Sequence, residues 1–135
     1  MKARKKRATG ALPLLSQSWD GSPESKARFH KDAQAVLRAV ATEAGLGPKD
    51  FEVSSNVMGP VVIGSVSLFA DRFHLWIYGG SSGEWGTPRE GDVTARRVAH
   101  RKDYAGSGEN VAIDWELLWD PPSLVKVLKL EGVIA

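Results

Sequence analysis

The sequence predicts an α+β domain of order α-β-β-β-β-α: an antiparallel meander sheet with N- and C-terminal helices packed on one face. Three observations carry the prediction. Apolar residues recur at helical spacing between Phe29 and Ala44, the hydrophobic period drops to two through the middle of the chain, and a second helical stripe follows Asp120.

The first helix is expected over residues 23–44. Ser22 is a suitable N-cap, Pro23 falls in the first turn where its missing N–H is harmless, and Glu24 complements the helix dipole. Phe29, Ala33, Val36, Leu37, Val40, Ala41 and Ala44 form one apolar stripe at three- and four-residue steps. Gly45 ends the helix, and Gly47-Pro48 prevents its resumption.

Four strands follow. Phe51, Val53, Ser55 and Val57 alternate with polar neighbours, and Gly59-Pro60 makes a turn. The run from Val61 to Phe69 is rich in β-branched residues, with Gly64 as a bulge or close-approach point. Ala70-Asp71-Arg72 connects it to Phe73–Tyr78, the clearest hairpin in the chain. There Phe73, Leu75 and Ile77 take one face and His74, Trp76 and Tyr78 the other. A Gly- and Ser-rich loop from Gly79 to Gly91 carries Trp85, and a fourth strand is expected over 93–101. The segment 111–119 reads two ways, as a brief fifth strand at Val111-Ala112-Ile113 or as a helical turn at Trp115–Leu118. Beyond it Asp120 can cap a helix opened by Pro121 and Pro122, with Leu124, Val125, Val127, Leu128 and Leu130 as its apolar face. Sequential strands with short links most simply make an antiparallel meander.

Composition narrows the class. The chain has 135 residues, 42% of them hydrophobic and 25% charged, which fits one globular domain. Absence of cysteine excludes a disulfide scaffold and a thiolate nucleophile, and it fits a cytoplasmic setting. No stretch approaches the roughly 20 apolar residues that span a bilayer. The basic start is followed by a short, Pro-interrupted apolar run, so a secretory leader is not expected.

The charge is uneven. Lys2, Arg4, Lys5, Lys6 and Arg7 crowd the first seven positions, with no acid before Asp20. Without them, 13 basic residues face 16 acidic ones, so the formal charge of the remainder is −3 against +2 for the whole chain. The basic character therefore belongs to an arm over residues 1–21, and the domain proper is read as 22–135.

Two candidate contact surfaces emerge. Trp76 and Tyr78 share a strand face with His74, opposite the core side, and the Trp85 loop flanks them. Such aromatics are enriched at protein interfaces, which points to a protein partner or a homo-oligomer. The competing reading folds Trp115 and Trp119 over the same face as a second small core. The other surface joins the basic arm to Arg96, Arg101, Lys102 and Tyr104. There, phosphate-neutralising charges beside an aromatic ring suit DNA or RNA. Arg101 and Lys102 equally suit a strand end ion-paired to Asp103 or Glu109.

Catalytic and metal chemistry find little footing. His74 near Asp71 and His100 near Asp103 are the nearest approach to an acid–base pair. Histidines at 30, 74 and 100 lack ligand spacing, so no metal or cofactor is assigned. The Gly79–Gly83 loop lacks the Gly-Lys-Ser/Thr ending of a phosphate loop, and no nucleophile elbow surrounds Ser81 or Ser82.

Ser67-Leu68, Asp71-Arg72-Phe73 and Arg101-Lys102-Asp103-Tyr104 together resemble a pattern in small uncharacterised proteins of proteobacterial plasmids and integrated mobile elements. That pattern continues with a second Gly and Arg-Asn-Asn where this chain has Ser107-Gly108-Glu109-Asn110. The resemblance implies a mobile-element accessory protein and gives weight to the Arg101–Tyr104 corner, and it brings no activity with it. The reading that follows is a non-enzymatic protein-binding or regulatory module using Trp76, Tyr78, Trp85 and His74. A nucleic-acid-binding accessory protein is the alternative, and a small enzyme centred on a histidine stands below both.

Overall fold

The computed structural model describes residues 22–57, 64–78, 93–104 and 108–134. Helix α1 (Pro23–Glu43) leads into strands β1 (Phe51–Asn56), β2 (Ser65–Ala70), β3 (Phe73–Tyr78), β4 (Val93–Arg97) and β5 (Asn110–Ala112). A 3-10 turn (Trp115–Trp119) and helix α2 (Pro121–Leu130) complete the order. The strands form one antiparallel sheet, β1-β2-β3-β4-β5. The α+β meander read from the sequence is therefore present, with five strands among the described residues. The segment 111–119 resolves as both of its readings in succession, a short strand and then a helical turn.

Glycine ends both helices by the same device. Gly45 sits at φ 86° and Gly132 at φ 77°, a left-handed conformation that side chains with a Cβ resist. At each, two backbone bonds satisfy carbonyls of the last turn: Gly45 N to Thr42 O and Leu46 N to Ala41 O, then Gly132 N to Lys129 O and Val133 N to Leu128 O. The residue after each glycine turns inward, Leu46 against the core and Val133 within it. Asp120 caps α2 as its position foretold, accepting from the Ser123 N–H at 3.4 Å and the Ser123 hydroxyl at 2.8 Å.

One sheet face and both helix stripes close a single core. In register across the sheet, Val53, Leu68, Leu75, Ala95 and Val111 form one row, and Ser55, Val66, Ile77 and Val93 the next. Against these rows pack Phe29, Val36, Leu37 and Val40 of α1 with Leu124, Val125 and Leu128 of α2. Burying each such side chain contributes roughly 1.5–3 kcal/mol, which is why these positions set the register. Trp119 packs on this core, on the helix side. It therefore does not cover the opposite sheet face, as the competing sequence reading required of it. The Trp115 side chain, the other half of that reading, lies outside what the structure describes.

β4 is shorter than the expected 93–101. Val98 N still bonds Arg72 O, but the chain then turns, with Asp103 Oδ2 accepting from Ala99 N at 3.1 Å and Asp103 N donating to His100 O at 3.1 Å. Residues 99–104 thus leave the ladder and fold back over the second sheet face. The arm at 1–21, with Lys2, Arg4, Lys5, Lys6 and Arg7, and the loop carrying Trp85 lie outside the described residues. Among the described residues, no helix is long and apolar enough to cross a membrane.

Candidate partner-binding face

The second sheet face is built in two rows. Glu52, Phe69, His74, Arg96 and Asn110 lie opposite one another across the five strands, and Ser54, Ser67, Trp76, Thr94 and Ala112 form the neighbouring row. Among the described residues the face divides accordingly into a covered part and an open part.

The covered part belongs to the chain returning over 99–104. Tyr104 lies edge-on to Phe69 (ring centroids 5.4 Å) and tilted against His74 (6.0 Å), while Phe69 meets His74 edge-on at 4.8 Å. His74 is only 1% exposed, and its Nε2 lies 2.7 Å from the carbonyl oxygen of Arg101. A carbonyl only accepts, so Nε2 carries the proton and donates. Burial, chiefly, holds the imidazole below the ordinary histidine range, and the positive charge of Arg96 adds to the effect. The Arg101 carbonyl and Asp103 act the other way. The expectation that His74 belongs to an exposed aromatic patch is therefore corrected: it shares the face but lies beneath Tyr104 and the Arg101 backbone. Neither does it pair with Asp71.

Arg101 holds the fold-back in place. Its Nε donates to Asp71 Oδ1 at 3.0 Å, its Nη1 lies 3.5 Å from Glu52 Oε2, and its Nη2 donates to the Lys49 carbonyl at 2.8 Å. Arg72 adds a bond to the Ala99 carbonyl at 2.7 Å. The ion-paired strand end foreseen from the sequence is present with Asp71 and Glu52 as its acids, in place of Asp103 or Glu109. Of the corner offered to nucleic acid, Lys102 and Tyr104 stay exposed, whereas the Arg101 guanidinium is engaged on three sides.

The open part centres on Trp76. Its ring is half-buried, and the Arg96 guanidinium carbon sits 5.4 Å from the ring centroid, a cation–π stack. Arg96 is fixed there by Nη2 donating to the Tyr104 carbonyl at 3.0 Å, with Nη1 reaching Asn110 Oδ1 at 3.5 Å. Tyr78 is exposed at the far end of β3, and Tyr104, 58% exposed, borders the other end. Two participants escaped the sequence reading. In the sequence Phe69 reads only as part of a β-rich run, and Arg96 groups with the phosphate-neutralising charges. Strand alternation across β2–β4 puts both beside His74, and the diagonal from Arg96 to Trp76 is a cross-strand neighbour relation.

Among the described residues no three His, Asp or Glu side chains are placed to hold a metal ion. No family model, curated protein or solved structure matches the chain.

Proposed function

We propose that this chain is a non-enzymatic protein-binding or regulatory module that contacts its partner through the open part of the second sheet face. The observation that carries the reading is the Trp76–Arg96 stack, partly buried and held by bonds to Tyr104 and Asn110. Tryptophan, tyrosine and arginine are the residues whose truncation most often costs binding energy at interfaces. A stack already fixed in place loses little side-chain entropy on association. Tyr78 extends the contact, and buried His74 serves as its floor. The resemblance to proteins of plasmids and integrated mobile elements suits an accessory role in a bacterial cytoplasm.

The test compares full-length chain, Trp76→Ala and Lys126→Ala (an exposed α2 control) as immobilised baits, followed by titration of any protein retained. Loss of about 2 kcal/mol, roughly thirtyfold in affinity, is expected for Trp76→Ala alone. Equal retention by all three baits rejects the reading. Recovery of nucleic acid alone, with affinity falling steeply with salt, transfers it to Lys102, Tyr104 and the basic arm.

A further inference from the structure

The geometry points to a second binding site, distinct from the aromatic face: we infer that the outer edge of β1, unpaired among the described residues, takes an extended, apolar peptide segment carrying a carboxylate, which adds to the sheet as a strand.

The ladder phase shows which backbone groups face outward. Val98 N bonds Arg72 O, so in the β3–β4 register that pair and, by alternation, His74 with Arg96 and Trp76 with Thr94 are the hydrogen-bonded pairs. Leu75 and Ile77 therefore bond back to Leu68 and Val66 of β2. That leaves Phe69, Ser67 and Ser65 to bond Glu52, Ser54 and Asn56 of β1. The N–H and C=O groups of Phe51, Val53 and Ser55 consequently point away from β2, and β1 is the terminal strand among the described residues.

Those same residues turn their side chains to the helix side, where a cleft opens between α1 and β1. It measures about 360 Å³ and is lined by Arg38 and Thr42 of α1, Leu46 and Pro48 of the connection, and Phe51 and Val53. One turn earlier on α1, Gln34 Nε2 donates to Ser55 Oγ at 2.7 Å and ties the helix to β1. A strand laid along β1 meets outward backbone groups at alternate residues, and its own alternate side chains enter this cleft. The floor is apolar, so those side chains are apolar.

Charge chooses the rest of the ligand. Arg38 is exposed at the cleft and makes no ion pair among the described residues. Asp50, the nearby acid, is turned back to accept from Gly47 N at 2.7 Å. A carboxylate on the incoming segment completes the site with a bidentate partner for the guanidinium. Of the usual edge protections, proline and lysine are absent from β1, and its one charge, Glu52, lies on the opposite sheet face beside Arg101.

The experiment selects displayed random decapeptides on the full chain, then titrates the enriched peptides into ¹⁵N-labelled protein. Expected are peptides alternating apolar residues with others and bearing Asp, Glu or a free C-terminus. Their binding shifts the amides of Phe51, Val53 and Ser55. Val53→Pro removes an outward N–H without touching the β1–β2 ladder, and it should weaken binding more than tenfold. Arg38→Glu, at an exposed helix position, should weaken it about tenfold through charge alone. Trp76→Ala should leave it unchanged, which separates this site from the aromatic face. Failure to enrich any peptide, or peptides indifferent to both Val53→Pro and Arg38→Glu, overturns the inference. So does concentration-dependent dimerisation lost in Val53→Pro, which would give the edge to a second copy of the chain.

Discussion

Arg101→Ala is the perturbation that most directly tests whether the Arg101–Tyr104 corner is part of the fold or a ligand site. The side chain makes three contacts, to the Lys49 carbonyl at 2.8 Å, Asp71 at 3.0 Å and Glu52 at 3.5 Å. The two carboxylates are 61% and 63% exposed, so water screens each pair to roughly 0.3 kcal/mol. The bond from a charged donor to a backbone carbonyl is worth about 1.5 kcal/mol at the low end, and Arg101 itself is only 22% exposed. The expected loss is therefore about 2 kcal/mol, read as a lower urea midpoint at constant slope and a fall in Tm of about 7 °C. Arg101→Lys, which keeps the charge without the planar fork, should recover less than half of it. A variant within about 0.3 kcal/mol of the parent would refute the argument, because a guanidinium that holds nothing together is available for phosphate.

Two further outcomes follow from buried groups. Because burial lowers the His74 pKa, the unfolded chain takes up a proton near pH 6.5 that the folded chain resists. Stability is then fully present above that pH and declines as pH falls toward the folded value. Urea titrations of parent and His74→Gln at pH 7.5, 6.5 and 5.5 should show a shallower acid loss in the variant, and parallel curves would contradict this. Gly64 (φ 97°) and Gly45 (φ 86°) share a left-handed backbone, but a Cβ on Gly64 would collide with the Asn56 carbonyl oxygen, while Gly45 has nothing within 4 Å. Gly64→Ala should cost about 2–4 kcal/mol and Gly45→Ala about 1 kcal/mol, and equal losses in chemical denaturation would show that conformation alone decides both.

The elements legible in the sequence are those whose signals are local. Pro23, Gly45 and Asp120 act within one turn of where they stand, and the stripe of α1 and the alternation of β3 each declare a buried face. The fold-back at 99–104 had no such signal. Val98-Ala99-His100-Arg101 alternates as a strand would, no glycine or proline interrupts it, and the Asp103 carboxylate that turns the chain does so through Ala99 N. The contacts that then matter join residues far apart in sequence: Arg101 to Lys49, Glu52 and Asp71, and His74 to Arg101. Pairing Arg101 with Asp103 or Glu109 was the nearest guess available to a reader of local spacing. Cleft residues Arg38 and Phe51 were invisible for the same reason, since only the packing of α1 against the sheet sets its C-terminal half beside β1.

His74 shows why a side chain's chemistry follows from its surroundings and not from its type. Read from sequence, a histidine three residues from an aspartate on the face of Trp76 invites a general-base role. In the fold, Asp71 is bound to Arg101, the imidazole donates its one proton to a carbonyl, and Phe69 and Tyr104 exclude water from it. A base must exchange its proton with a substrate, and this ring is 1% exposed, with a pKa pushed toward the neutral form. What the arrangement does provide is stiffness. Arg96 stands opposite His74 in the same cross-strand row and is anchored to the carbonyl of Tyr104, the residue that roofs the imidazole. The guanidinium over Trp76 is thereby positioned by the segment that buries His74. A recognition surface benefits from such support, because each side chain already held in place is one fewer to order when the partner arrives.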